Sequence, residues 1–417
     1  MKWLAIAALA ACGDNAGVPD PMVVPDAAEP VVEPPLEPTY RRDVAPLLAS
    51  RCAGCHVDGG VAPFPLTSYD EASALSEAIA AATTERVMPP WPADASGACG
   101  TFVEPRWLAD AEIATLARWH ETGAPIGDAM DFSLVSIPPP TPFTPAVEVA
   151  SDVGYRVMPG PDEYRCFVVD PGLPADRFIT AIGMRLDRAD VVHHMQLYAA
   201  FGNTAEQSIS QRDAADPEPG YPCDDEGVGT ALRYVGVWAG GDTIRRWPDG
   251  TGIKIAGGHR LVVQLHYHNH GSEPVLDRSG VALELAETVA HEGRIASTQV
   301  TSFELPPQQE TVTISTQAPL PVAAAEKIRG ARIHMHGLGT SARMELVRDG
   351  SKTCVLDIPR WDVGWQLFYR FAEPLEVSNG DQIRIRCSYD TRSKVDPVEW
   401  GAGTDDEMCI AYTFLTD

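Results

Sequence analysis

The sequence is poor in basic residues. Its 417 residues include 32 Lys and Arg against 58 Asp and Glu, which gives a formal net charge of −26. A surface with this balance repels phosphate backbones and anionic membrane surfaces. Nucleic acid is therefore not an expected partner.

The apolar run near the N-terminus, residues 3–11, is too short to span a bilayer. It follows Lys2 and leads into Leu-Ala-Ala-Cys at 9–12, which resembles the lipobox of bacterial lipoproteins. We predict a lipoprotein-type signal over 1–12 with Cys12 as the lipidated residue, export to the bacterial cell envelope, and a lipid anchor that faces the periplasm or the cell surface. In the alternative, the segment is a cleaved or mis-started secretory signal and Cys12 is incidental. Either route leads out of the cytoplasm, where disulfides can form.

An exact internal repeat is also missing, and the length and 44% apolar content instead predict two or three packed domains. Residues 13–38 are rich in Pro, Ala and acid and are predicted to form an extended tether. Residues 39–128 show helical periodicity and are predicted to form a small all-α domain. A Pro-rich linker over 129–145 follows.

The rest of the chain is predicted to be all-β. Short alternating runs, rich in Val and Ile, are bounded by Gly, Pro, Asp or Asn. The clearest lie at 260–268, 311–315, 331–336, 382–387 and 408–415. Their frequency and total length favour two jelly-roll-like sandwich domains, which we place at 146–297 and 298–417.

The helical region contains Cys52-Ala-Gly-Cys55-His56, the C-x-x-C-H pattern. Its two thiols can form thioethers to the haem vinyl groups, and its histidine can be the proximal iron ligand. A redox dithiol or half of a zinc site is the alternative, but no second C-x-x-C lies nearby and His56 would have no role. We therefore predict one covalently bound haem c and a cytochrome c domain over 39–128.

The sixth iron ligand is predicted to be Met88, because the prolines of Val-Met-Pro-Pro-Trp at 87–91 stiffen the loop that would hold its thioether. Met88 could instead be ordinary packing. His120, on the apolar face of the last helix, is the alternative ligand. Ligation by His and Met suits electron transfer. These segments are similar to the cytochrome c modules of bacterial multi-domain redox proteins.

Nine of the eleven histidines lie outside this domain, and most of those nine lie in three short segments, 193–194, 266–270 and 334–336. Such clusters indicate a metal. In a strand, His334 and His336 share one face, while Ile333 and Met335 face the other way.

Two further features bear on the metal ligands. Met408 precedes a predicted strand, and a thioether beside two imidazoles favours copper over zinc, although Met408 alone would more often be core. His193 and His194 are adjacent, so both can bind one metal only at a bulge or a strand end. The residues alone leave that point open.

Four segments in this order, VVHHMQLY, LVVQLHYHNHG, ARIHMHGLG and DDEMCIAYTF, resemble the copper type II, ascorbate-dependent monooxygenases. This family includes the peptidylglycine α-hydroxylating and dopamine β-monooxygenases. The resemblance spans roughly residues 150–417. It implies two coppers, an electron-transfer copper and an oxygen-binding copper. The implied ligands of the electron-transfer copper are His193, His194 and His266. Those of the oxygen-binding copper are His334, His336 and Met408.

The resemblance also implies roles for nearby residues. Gln264 matches a position near the electron path, and Arg332 and Tyr412 match positions that line the substrate side. A solvated strand face or interdomain hydrogen bonds are the alternative roles for all three. Peptide-amidating members carry Asn two residues after the methionine ligand to help hold a substrate carboxylate, where this chain has Ile410. Glycine-extended peptides are therefore not expected substrates.

The histidines outside the implied ligand set are interpreted as surface residues. They are His259, His268, His270 and His291. A shift of ligation from His266 to His268 stays open.

Six cysteines remain after Cys12, Cys52 and Cys55 are set aside, and six cysteines allow fifteen pairings. The resemblance implies a disulfide between Cys387 and Cys409, which would hold the strand that follows Met408. Cys166 with Cys223 is a second predicted pair.

The predicted function is that of an exported oxidoreductase that hydroxylates a C–H bond of a small organic substrate with O2. The haem would replace or supplement ascorbate as the direct electron source, and ascorbate or a redox protein is the predicted reductant partner. The first alternative is a non-enzymatic haem and copper electron carrier or copper-binding lipoprotein. A zinc protein with a structural or hydrolytic role is another, against which Met408 argues because thioethers are poor zinc ligands.

Overall fold

The computed structural model describes residues 37–58, 62–129, 142–160, 162–223, 232–239, 244–322 and 324–417. The predicted signal with Cys12, nearly all of the tether and most of the Pro-rich linker lie outside these residues. Among the described helices, none has both the length and the apolarity needed to cross a membrane.

The N-terminal part of the described chain is a small helical module, which we define as residues 39–128. A π-helical turn spans Tyr40–Val44, and four α-helices follow at Ala45–Arg51 (α1), Tyr69–Ala74 (α2), Ser76–Thr84 (α3) and Asp110–Glu121 (α4). Leu48, Leu116 and Trp119 form the centre of its apolar core and are almost completely buried. Helix α2 is capped by Ser68, whose side chain accepts the Glu71 backbone N–H while the Glu71 side chain accepts the Ser68 backbone N–H.

The first part of the β region contains twelve strands and one helix. The strands are Val147–Ala150 (β1), Tyr155–Val157 (β2), Glu163–Val169 (β3), Arg177–Arg185 (β4), Val192–Ala200 (β5), Tyr221–Pro222 (β6), Leu232–Ala239 (β7), Ile244–Arg246 (β8), Thr251–Ile255 (β9), Leu261–Tyr267 (β10), Val275–Asp277 (β11) and Gly280–Ala286 (β12). The helix, Asn203–Ala215 (α5), lies between β5 and β6 and was not predicted.

Ten more strands follow in the described part of the chain. They are His291–Gln299 (β13), Glu304–Leu305 (β14), Val312–Pro319 (β15), Glu326–His334 (β16), Gly339–Arg348 (β17), Ser351–Ile358 (β18), Tyr369–Val377 (β19), Gln382–Tyr389 (β20), Val398–Glu399 (β21) and Ile410–Thr416 (β22). The predicted all-β character of this region is confirmed, apart from α5.

The strands form two layered halves that share one large sheet. Nine of the described strands form this sheet: β1, β12, β4 and β9 lie at one end, with β8 paired to β4, and β13, β22, β16 and β19 lie at the other. A five-stranded sheet, β6-β3-β10-β5-β7, and a four-stranded sheet, β15-β20-β17-β18, complete the two halves. One apolar core lies between the five-stranded sheet and the β1 end of the large sheet. The other lies between the four-stranded sheet and the β19 end of the large sheet.

The junction between the halves is a strand rather than a linker. β13 pairs in parallel with β9 through His291 and Thr251, and antiparallel with β22. The predicted boundary between residues 297 and 298 falls inside β13. The sheet hydrogen bonds therefore run without interruption from one half to the other.

The helical module is docked on the C-terminal half. The segment between α3 and α4 is tied to that half by a disulfide from Cys99 to Cys354. Its backbone also pairs with β19 at Phe102 and Phe371. The Trp91 ring packs edge-on against Tyr369, with centroids 5.1 Å apart. A covalent bond, backbone pairing and aromatic packing together fix this contact.

Candidate metal centre

The first histidine cluster, which we call the three-histidine site, consists of His193, His194 and His266. His266 pairs with His194 across β10 and β5, whereas Tyr267 pairs with Val192. One extra residue, His193, therefore lies in β5 at this point, which is a β-bulge. The bulge answers the question that the sequence left open, because it lets two adjacent histidines turn toward one point.

The ring nitrogens of this site converge. The Nδ1 atom of His266 lies 3.2 Å from Nδ1 of His193 and 3.1 Å from Nδ1 of His194. On its other side, Nε2 of His266 lies 3.0 Å from Asp162 Oδ1. Since the carboxylate needs a donor, it favours the tautomer with the proton on Nε2 and leaves the Nδ1 lone pair directed at the other rings.

The pKa values of these imidazoles favour metal binding. Burial, followed by the neighbouring His193, lowers the pKa of His266 to about 4. Burial and then His266 hold the pKa of His194 well below its usual value. Neutral imidazoles keep the lone pairs that a metal needs, so the site is ready for a cation near neutral pH.

The second cluster, which we call the methionine site, lies on the neighbouring strands β16 and β22. His334 pairs with Ile410 and Arg332 with Tyr412 in an antiparallel ladder. Continuing that register sets His336 opposite Met408. Ile333 and Met335, which were predicted to share the opposite strand face, belong to the apolar core.

Both imidazoles of the methionine site are held through Nδ1. The Nδ1 atom of His334 lies 2.5 Å from Gln366 Oε1, and Nδ1 of His336 lies 2.8 Å from the carbonyl oxygen of Asp406. An oxygen acceptor at Nδ1 fixes the proton there and leaves Nε2 as the metal-binding atom. Two Nε2 atoms and a thioether are a donor set that suits copper.

Glu407 fixes the position of Met408 relative to the two histidines. Its carboxylate accepts the backbone N–H groups of His336 (2.9 Å), Leu338 (2.6 Å) and Met408 (3.3 Å). Burial raises the pKa of Glu407 to about 7, against the lowering effect of these N–H donors. The Met408 carbonyl in turn accepts a hydrogen bond from the Tyr389 hydroxyl.

Disulfides hold both sites from behind. Cys387 is bonded to Cys409, the residue after Met408, as the resemblance implied. Cys166 on β3 is bonded to Cys223, the second predicted pair. The third disulfide, which involves Cys99, was not predicted.

One loop, residues 400–407, joins the two sites. The Thr404 N–H donates to Asp162 Oδ2 at 2.9 Å, and the Tyr164 hydroxyl donates to the Ala402 carbonyl at 2.6 Å. Tyr164 also stacks on His266, with centroids 4.1 Å apart and planes 6° apart. Burial opposes ionisation of Asp162, but the Thr404 hydrogen bonds and His266 lower its pKa to about 2.

The remaining predicted site residues of the β region are Gln264 on β10, Arg332 on β16 and Tyr412 on β22. Gln264 is fully buried, with its amide nitrogen 3.8 Å from Cys223 Sγ and two positions along β10 from His266. Arg332 donates to Gln366 Oε1 at 3.0 Å, and its guanidinium lies 5.7 Å from the centroid of the Tyr412 ring. Tyr412 stacks on Tyr234 of β7, at a centroid distance of 5.3 Å.

The histidines that follow His266 lie outside its metal-binding cluster. His268 Nδ1 lies 2.9 Å from Asp162 Oδ1, and its ring stacks on His270. The geometry therefore favours His266 over His268 as the third ligand.

In the helical module, the two cysteines of the C-x-x-C-H motif are not disulfide-bonded, while the other six described cysteines are paired. The Nδ1 atom of His56 lies 3.1 Å from the Phe64 carbonyl oxygen, which leaves Nε2 open. The alternative ligand His120 contacts Ser76 Oγ through Nδ1 at 3.1 Å.

Sequence reasoning missed the residues that orient the ligands: Asp162, Tyr164, Gln366, Asp406 and Glu407. Most lie far along the chain from the histidines they contact; Asp162, for example, is 104 positions from His266. Glu407 and Asp406 alone carried a usable signal, because they immediately precede Met408 in the acidic run of DDEMC.

Residues 283–415 match the family model for the copper type II ascorbate-dependent monooxygenase C-terminal domain. The predicted similarity to these oxidoreductases is thereby confirmed over this segment. The match includes every ligand of the methionine site.

Comparisons with curated relatives agree with this similarity. The chain is 25% identical to dopamine beta-hydroxylase of Canis lupus familiaris over 53% of its own length and 37% of that protein. It is 24% identical to tyramine beta-hydroxylase of Caenorhabditis briggsae, with 54% and 39% covered. It is 29% identical to peptidyl-glycine alpha-amidating monooxygenase B of Xenopus laevis, with 54% and 25% covered. The match thus spans less than two fifths of each relative.

Similarity to solved structures is weak. The major capsid protein P2 of bacteriophage PM2 has a TM-score of 0.26 at 9% identity, over 64% of this chain and 97% of that one. This score is too low to support any argument about the fold.

Proposed function

We propose that this chain is an exported copper monooxygenase that hydroxylates a C–H bond of a small organic substrate with O2, and that a c-type haem in the helical module supplies electrons. The observation that carries the proposal is the convergence of His193, His194 and His266, together with the β16–β22 register that sets His334 and His336 beside the Met408 segment and the loop that contacts both sites. The match of residues 283–415 to the monooxygenase domain supports the same conclusion.

Both donor sets fit copper. Bound copper would supply one-electron redox chemistry and a binding position for dioxygen. Hydroxylation places one oxygen atom in the C–H bond and releases the other as water, which consumes two electrons and two protons. Two sites that each handle single electrons match this requirement.

The chain's own residues would prepare the methionine site for this reaction. Gln366 and the Asp406 carbonyl orient the imidazoles, and Glu407 holds Met408 opposite His336. Each ring is thus set before metal binding, which reduces the reorganisation that the reaction requires.

The substrate is proposed to carry an anionic group. Arg332 is 3% exposed, and within the described residues no carboxylate lies within ion-pair distance of it. A buried guanidinium without a counter-ion is costly, so an anion beside Tyr412 would be stabilised there. Ile410, at the position where amidating relatives carry Asn, leaves that group fewer hydrogen bonds than a glycine-extended peptide would need.

The haem proposal fits the structure of the C-x-x-C-H motif. Burial, followed by the neighbouring Cys55 thiol, raises the pKa of Cys52 to about 11, whereas a redox dithiol needs an easily formed thiolate. Val57, Phe64 and Val87 expose apolar side chains next to the motif and to Met88. An apolar ring bound by Cys52, Cys55, His56 and Met88 would cover such side chains.

The test counts metals first and activity second. The mature chain, produced with a haem maturation system, is loaded with copper anaerobically and measured by mass spectrometry beside the double variant His334→Ala, Met408→Ala. We expect two coppers and one iron in the parent and about one copper fewer in the variant. Zinc alone, or no metal, would remove the copper assignment.

Activity is then measured with isotopically labelled dioxygen and a panel of small aromatic and aliphatic carboxylic acids. Label in the product, in proportion to oxygen consumed, supports a monooxygenase. Two bound coppers without oxygen consumption on any member of the panel would favour the electron carrier instead.

A further inference from the structure

The helical module contacts the C-terminal half next to the methionine site. Arg360, in the loop between β18 and β19, donates to the carbonyl oxygen of Glu85 at 3.2 Å and also to that of Arg86. These two carbonyls lie just before Met88 in the chain. The contact therefore touches the segment that carries the proposed sixth iron ligand.

The next residue, Trp361, reaches a ligand of the methionine site. Its indole Nε1–H donates to the backbone carbonyl oxygen of His336 at 3.0 Å. Its backbone N–H donates to the Thr340 carbonyl at 2.8 Å. A side chain on Gly339 would place Cβ 2.8 Å from the Trp361 ring, so this glycine allows the ring to lie against the ligand turn.

The surrounding contacts keep this arrangement rigid. The Cys99–Cys354 disulfide and the hydrogen bond from the Asp94 N–H to the Asp357 carbonyl, 2.9 Å long, lie shortly before Arg360 in the C-terminal half. Trp91, three residues after Met88, packs on Tyr369 of β19, and Tyr369 pairs with Ala331 of β16. The segment after Met88 is thus held to the C-terminal half on both sides of the loop that contains Arg360 and Trp361.

We propose that Arg360 and Trp361 form an electron-transfer route from the haem directly to the copper of the methionine site. The inference rests on the proposed function. In the step, ferrous haem iron loses one electron and becomes ferric, while Cu(II) held by His334, His336 and Met408 gains it and becomes Cu(I). The three-histidine copper is not an obligatory stop on this route.

Electrons can follow this route because covalent and hydrogen bonds connect the Met88 segment to His336 without a gap. A hydrogen bond joins the Met88 segment to Arg360, a peptide bond joins Arg360 to Trp361, and a second hydrogen bond joins the indole to His336. An aromatic ring with such a bond to the backbone of a metal ligand is a conductive last step that an aliphatic side chain would not supply.

The experiment follows one electron under anaerobic conditions. The full chain, with ferric haem and Cu(II) at both sites, receives a single electron at the haem by pulse radiolysis. The haem absorbance then reports re-oxidation, and electron paramagnetic resonance reports which copper has lost its Cu(II) signal. Metal content and the haem spectrum of every variant are measured beforehand.

We expect Trp361→Phe to slow haem re-oxidation several-fold with both coppers and the haem spectrum unchanged. Arg360→Gln, at an exposed side chain, is expected to slow it less. Trp365→Phe, a matched change in the same loop, should leave the rate at the parent value. In His193→Ala the fast phase should persist, whereas His334→Ala, Met408→Ala should abolish it.

Equal rates in the parent and Trp361→Phe, or loss of the fast phase in His193→Ala, would overturn the route. If the parent binds all three metals and hydroxylates its substrate in that case, the proposed function stands and only the route fails. A parent without haem or without copper at the methionine site overturns both.

Discussion

The two metal sites differ in how the chain holds them. In the three-histidine site, one ligand, His193, lies exposed on a β-bulge, and a single carboxylate, Asp162, orients His266. In the methionine site, Met408 is 1% exposed and the surrounding hydrogen bonds hold both histidines and the backbone of Met408.

This difference fits the proposed division of work between an electron-transfer site and a site of hydroxylation. A site fixed on every side keeps its geometry while a substrate and dioxygen react beside it, since small displacements there are costly. A more open site with three imidazoles can exchange electrons and contact a reductant. If the two sites differ in function as they differ in structure, variants of their residues should affect copper binding, stability and hydroxylation unequally.

The largest effect is expected from removing ligands of the methionine site. The double variant His334→Ala, Met408→Ala should lose one copper per chain and all hydroxylation, because the donors themselves are gone. The paired variant His193→Ala, His266→Ala should also lose one copper. If both double variants kept the same residual product formation, the proposed division between the sites would be wrong.

How far the sequence predicts these sites depends on the kind of signal. Period-two patterns located the strands that carry His334, His336 and His266, because alternation is a local property. The bulge at His193 could not be predicted, since it depends on the register between β5 and β10. Helix α5 was missed because it is mostly polar and buries only Ala205 and Ile209.

Long-range contacts were beyond local reasoning. Cys99 and Cys354 are 255 positions apart, and nothing near either residue indicates that the helical module docks beside β18. Gln366 belongs to a loop whose sequence has no metal-binding pattern, yet it contacts Arg332 and His334 together. Such partners follow from the folded topology and not from spacing.

The next largest effect is expected at Glu407, which only the methionine site possesses. Glu407→Ala leaves the partly buried N–H groups of His336 and Leu338 without this acceptor, and we expect a loss of about 3 kcal/mol in the free energy of unfolding. Urea denaturation of the copper-free chain measures it. Glu399→Ala, at an exposed position on β21, is the control and should change little. A loss as small as that of the control would mean that this carboxylate does not stabilise the turn.

A smaller and more local effect is expected at Asp162. Asp162→Asn should weaken copper binding at the three-histidine site about 10- to 100-fold, because the carboxylate that fixes the His266 tautomer is lost. Titration against a competing chelator measures both affinities. The methionine-site affinity should stay at the parent value, and Asp152→Asn, at an exposed residue, should alter neither. An equal loss of copper affinity at both sites would show that the 400–407 loop couples the two sites strongly.

The smallest effect is expected from Tyr164→Phe, which tests that coupling directly. The ring and its stack on His266 are kept, while the hydrogen bond from the hydroxyl to the Ala402 carbonyl is removed. One such bond contributes about 1 kcal/mol, so copper affinity should change little while the 400–407 loop loosens. Amide hydrogen exchange in that loop would report the change, with β17 as an internal reference. The hydrogen bond from Thr404 to Asp162 remains in this variant. Faster exchange confined to the loop would therefore show that several weak hydrogen bonds connect the two sites. Unchanged exchange would show that the Asp162 contact alone connects them.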